Sequence, residues 1–139
     1  MTLSPMQAQM CEQQGRLFES LNARGIDPKA FIRAYLNSQA AKGLDAPYNR
    51  MQWAGEEYIF EEVVDEFGLT TSPDAPKCNP EALYYAGYIT RYWHYKTGES
   101  SAEIYRQADE TRLLGAYGLH VEDNDLAVED LRAGCRILA

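Results

Sequence analysis

The sequence predicts an all-α protein, a single-domain bundle of about six helices spanning residues 1–139. Apolar residues recur at helical spacing along the whole chain, and no stretch shows the alternating β-branched pattern of a strand. Asp-Pro, Asn-Pro and Ser-x-x-Glu starts are separated by glycines at helix-length intervals, as caps and stops would be.

A first helix is expected over residues 5–24, with Met6, Met10, Leu17 and Leu21 on one stripe and Gly25 in the permissive position after its end. Asp27 before Pro28 places a capping oxygen ahead of a residue that lacks the orphan amide, so a second helix starts there and carries Phe31, Ile32, Tyr35 and Leu36 inward. Residues 41–47, with Gly43 and Pro47, read as a turn. A third helix is expected over 49–67, with Met51, Trp53, Ile59, Phe60, Val63, Val64 and Phe67 set against a row of acids, and Gly68 stops it.

Residues 69–79 hold two prolines and few large apolar side chains, which marks a linker. Asn79-Pro80-Glu81 opens a helix that runs to Thr97 before Gly98 and is apolar or aromatic nearly all round, the mark of a central, buried helix. Ser100-x-x-Glu103 and Asp109 start two short helices, and Asp123 starts a last one with Leu126, Ala127, Leu131, Cys135 and Ile137. Met51–Val63 aligns without gaps on Leu119–Leu131, and Gly25 and Phe31 match Gly98 and Ile104, which suggests two related three-helix halves, 5–68 and 80–138.

The composition narrows the function. A chain of 139 residues can bury about 70% of its unfolded surface, and 45% hydrophobic with 24% charged residues argues against disorder. The 13 basic and 21 acidic residues give a charge of −8, which repels nucleic acid and anionic membranes and favours a basic protein surface or a metal ion. There is no export signal and no apolar run of about 18 residues, so a cytoplasmic location is expected. Cys11, Cys78 and Cys135 are far apart and without metal-ligand spacing, and are read as reduced thiols. His94 and His120 have no nucleophile beside them in the sequence.

Two segments are dense in chemistry. In Tyr84–Tyr95, helical spacing puts Tyr84, Tyr88, Arg91 and Tyr95 on one stripe, and Tyr85, Ile89, Tyr92 and Trp93 on a second that is expected to be core. Tyr84, Tyr88, Arg91, Trp93, His94 and Tyr95 are the candidate partner-binding residues, because Tyr, Trp and Arg dominate binding hot spots. A pocket lined by Tyr84, Tyr88, Trp93 and His94 would instead suit a small molecule. The second segment is the acidic ladder Glu57, Glu61, Glu62 and Asp65, a candidate Mg²⁺ site; otherwise no cofactor is expected.

Glu61-Glu62-Val-Val-Asp65 resembles the first acidic motif of the all-α nucleotide pyrophosphohydrolases, which implies a metal-dependent enzyme as the alternative function. The second acidic motif of that family is missing, since the next Glu-x-x-Asp, Glu122 to Asp125, lies far along the chain. The run Ala86–Tyr105 resembles small uncharacterised helical proteins of bacteria, some of them encoded beside toxins of the ADP-ribosyltransferase type. That resemblance covers mainly residues 81–131, with an echo around 55–63, and carries no catalytic motif. It implies a non-enzymatic, antitoxin-like or accessory protein–protein interaction module.

Overall fold

Ser4 opens the first helix, α1 (Pro5–Glu19): its hydroxyl accepts from the Gln7 amide, the Gln7 side chain answers the Ser4 amide, and Pro5 needs no donor partner. The computed structural model describes residues 1–118 and 122–138, without the side chains of 135–138. The helix ends sooner than residue 24, because Ser20 turns its hydroxyl back onto the Leu17 carbonyl and residues 20–25 close as turns. Asp27 caps α2 (Pro28–Leu36) through the Lys29 amide, as its side chain and position predict.

The expected turn at 41–47 is a helix, α3 (Gln39–Asp45). Ser38 caps it, Ala40, Ala41 and Leu44 bury one face, and Gly43 is needed for packing, not for turning: a Cβ there would sit 2.8 Å from Met51 Cγ. The expected helix over 49–67 is likewise two pieces, a 3-10 turn at Arg50–Trp53 capped by Asn49 and then α4 (Glu56–Phe67) after an extended Ala54. Left-handed glycines end α4 at Gly68 and α5 (Pro80–Thr97) at Gly98, with φ of 63° and 78°. Ser100, Asp109 and Asp123 then start α6 (Ser101–Gln107), α7 (Glu110–Gly115) and α8 (Asn124–Leu138).

The class is all-α, and the described residues form eight α-helices, not six, with no strand. None of these helices is long and apolar enough to cross a membrane. Both halves of the sequence feed one core: Phe18, Phe31, Tyr35 and Phe60 from α1, α2 and α4 pack in a cluster with Leu83, Ile89, Trp93 and Ile104 from α5 and α6. Each large side chain so buried contributes about 1.5–3 kcal/mol.

The closest pairing is α1 on α5. It depends on Gly87, where a Cβ would lie 2.3 Å from the Gln14 carbonyl oxygen, so the two backbones touch where any other residue would hold them apart. The 69–79 linker has no regular structure and is pinned at both ends. The Ser72 amide donates to the Gly25 carbonyl at 2.7 Å, and the Asn22 side chain pairs with both backbone groups of Cys78. The positions paired by the internal alignment, Ile59, Phe60 and Val63 of α4 with Ala127, Val128 and Leu131 of α8, are all buried.

Candidate functional site

Arg91 was expected on the surface and is not: it is 1% exposed, and so is no part of an outward-facing patch. Its Nη1 donates to Asp45 at 2.9 Å and its Nε to Gln14 Oε1 at 3.1 Å, while Tyr35 donates its hydroxyl to the same Gln14 oxygen. Asp45 in turn accepts from the amide and hydroxyl of Ser101 at 2.7 and 2.9 Å, which ties α3, α5 and α6 together. Burial opposes the charge on Arg91, yet Tyr35, Asp45 and Tyr95 outweigh it and hold the guanidinium above its ordinary value. Burial pushes the Tyr35 phenol up to about 12. A charged side chain can stay inside only when so paired.

Trp93 is also core, 0% exposed, with its indole N–H on Glu99 at 2.9 Å. That removes the second expected contact residue from the surface. His94 Nδ1 donates to the Glu99 carbonyl at 2.7 Å and faces Asp45 at 3.7 Å, so it belongs to the same structural network. Tyr95 is half-buried, with the Arg91 guanidinium 5.9 Å from its ring centre. Because Trp93 and His94 take no part in the cavity that Tyr84 and Tyr88 line, the four do not share a pocket. His120 lies outside the described residues.

Tyr84 and Tyr88 remain at the surface end of the stripe, half-buried, their rings near-parallel at 28° with centres 6.3 Å apart. They line a groove of about 390 Å³ together with Tyr85, Tyr117, Glu19, Glu81 and Asn124. Tyr84 reaches this position by lying on Gly15 of α1, whose missing side chain leaves the space: a Cβ would stand 2.8 Å from Tyr84 Cε2. Tyr117 stands edge-on to Tyr85 at 6.1 Å and donates its hydroxyl to Glu81.

Acidic side chains predominate around the groove, with Arg16 acting on Tyr84 in the opposite sense. Burial first, and the field of Glu12 with it, raises the Tyr84 phenol; burial and then Cys11 and Glu12 raise that of Tyr88, so both rings are neutral at neutral pH. Glu19 and Glu81 line the groove, and among the described residues no lysine or arginine does. Tyr85 is 8% exposed, and its hydroxyl has no hydrogen-bond partner among the described residues. Neutral aromatic faces with carboxylates beside them attract a cation.

The acidic ladder does not assemble. Glu57 is drawn to Arg24 at 2.7 Å, and Arg24 lies over the Phe60 ring at 4.6 Å. Glu61, Glu62 and Asp65 are exposed on α4, and among the described residues no three His, Cys, Asp or Glu side chains stand close enough together to hold a metal ion.

A second groove, of about 580 Å³, runs between α1 and the Arg50–Glu56 stretch, beside Trp53, which is 71% exposed, and Met6. Several of its polar groups are already occupied. Gln13 and Gln52 each donate to a backbone carbonyl at 2.8 Å, and Arg16 and Glu56 neutralise each other at 2.8 Å. Comparison of the chain with known protein families, curated sequences and solved structures found no match.

Proposed function

We propose that this chain is a non-enzymatic interaction module, of the antitoxin-like or accessory kind, that grips a basic segment of a partner protein in the tyrosine groove. One observation carries the reading: among the described residues, four tyrosines and two glutamates line the groove and no lysine or arginine does. The chain's charge of −8 supports it, since the same sign of field would steer a basic partner in and repel a phosphate backbone. The groove is formed by α1, α5 and the segments around Tyr117 and Asn124, so on this reading recognition sits where the two related halves of one domain meet.

The test is calorimetric titration with an acetylated, amidated hexapeptide of alternating arginine and glycine. Tyr88→Ala should weaken binding about tenfold, the loss of a well-placed aromatic contact to a cation. Glu61→Gln with Glu62→Gln, on the exposed face of α4, should leave it within about twofold, as solvated and screened charges do. The reverse order of effects would place the basic segment on α4 and sink the proposal.

A further inference from the structure

The face around Trp53 differs in charge from the chain as a whole. Each copy of the chain carries −8, so two copies repel one another. In the groove between α1 and the Arg50–Glu56 stretch, however, the only two charges among the described residues are Arg16 and Glu56, and they pair with each other at 2.8 Å. The rest of the lining is apolar or carries an uncharged amide. Trp53 stands beside it 71% exposed, and Met6 is 45% exposed. A large aromatic side chain left in water at the edge of an apolar groove marks an interaction surface.

We infer that this face holds a second copy of the same chain, each copy placing its Trp53 in the groove of the other. A two-fold dimer needs the projecting group and the recess on one face, so that each copy gives and receives the same side chain, and Trp53 beside its own groove meets that condition. The groove's volume of about 580 Å³ lies within the range of about 300–1,000 Å³ that encloses a group larger than an indole. Charge decides between a second copy and a basic partner. A basic segment finds no unneutralised carboxylate in the lining, since Glu56 already has Arg16. A second copy meets a face of zero net charge, which is where two acidic bodies can approach. This groove and the tyrosine groove share no lining residue, so the dimer and the capture of a basic segment stand or fall separately.

The experiment is sedimentation equilibrium of the full chain, read beside its tryptophan emission on dilution. The chain has two tryptophans and Trp93 is fully buried, so an emission shift that depends on concentration reports Trp53. The natural chain should sediment as a dimer at high concentration, and its emission should move to the red as dilution returns Trp53 to water. Raising the salt from about 0.01 to 1 M should tighten the dimer, because screening removes the repulsion between two acidic bodies, whereas an interface held by opposite charges would loosen. Trp53→Ala should weaken dimerisation about thirtyfold, the loss of an interface hot spot. Met6→Glu adds like charge to the face of both copies and should weaken it about tenfold or more. Both residues are exposed, so neither change removes a core contact. Tyr88→Ala, in the other groove, should leave the dimer within about twofold. A chain that stays monomeric up to about 1 mM at every salt concentration would overturn the proposal. So would a dimer that persists unchanged in both Trp53→Ala and Met6→Glu, or one that loosens as salt rises.

Discussion

The two ends of α5 carry the same kinds of side chain and put them to opposite use. At the carboxyl end, Arg91, Trp93 and His94 are locked by Gln14, Asp45 and Glu99 into a buried network. At the amino end, Tyr84 and Tyr88 keep their hydroxyls free of any hydrogen bond among the described residues and face a groove lined by carboxylates. The difference lies in what the neighbouring elements supply. Where α3 and α6 bring an acid and a serine to meet the cation, Arg91 becomes a tie; where α1 brings a glycine, the rings are left with room in front of them. An arginine among tyrosines is thus no evidence of a binding surface until its counter-charge has been found.

The strongest way to break this comparison is Asp45→Ala. It leaves a buried guanidinium and the Ser101 donors without their acceptor and should cost about 3–5 kcal/mol in urea unfolding. A cost near that of an exposed ion pair, below about 1 kcal/mol, would mean Arg91 is not held as described. Gly15→Ala acts on the other end. Helix propensity gains about 1 kcal/mol while the Tyr84 ring is pushed off by a Cβ at 2.8 Å, so stability should change by about 1 kcal/mol or less as cation binding falls. Unchanged binding would show that Tyr84 need not rest on α1.

Changes of pH near neutrality should have the smallest effect, and beyond it they act on the network end. Burial works against ionised Glu99, but hydrogen bonds from Trp93, Gln107 and Thr97 and the charge of Arg132 bring its carboxyl below the ordinary value. Glu110, bonded by Arg33 and Tyr105, is lowered in the same way. A carboxyl lowered by folding stabilises the fold above its ordinary value, and that contribution is lost as pH falls through the folded value. On the alkaline side burial pushes the Cys11 thiol from 9.0 up to about 12 and the Tyr35 phenol from 10.0 to about 12. Their contribution is complete below the lower, unfolded values and is lost as pH rises toward 12. Urea midpoints should be flat between about pH 5.5 and 8.5 and fall on either side. A midpoint that rises on acidification would contradict the assigned partners of Glu99 and Glu110.

Much of the fold was legible because its signals are local. Asp27, Asn79, Ser100, Asp109 and Asp123 each cap through an amide two or three residues ahead. The misreadings also have local causes. Gly43 looked like a turn and is instead a contact point for Met51, and the acids of α4 hid the break before it at Ala54. Of the site, Tyr84 and Tyr88 could be paired from their spacing along one helix face. Glu19, Tyr117 and the role of Gly15 could not, because they come from other segments and no local pattern links them. The fate of Arg91 was hidden for the same reason, its partners Gln14 and Asp45 lying in α1 and α3.

The pinned stretch between α4 and α5 has a consequence for how the chain can be handled. Since α1 seats directly on α5 and the stretch is tied down at Ser72 and Cys78, the bonds around 74–76 link two pieces already held together by their own packing. A single protease nick there should yield fragments that co-elute as one particle. New termini opened at the same point would turn this protein into a circular permutant, or into a two-part complementation pair whose reassembly reports on the tyrosine groove.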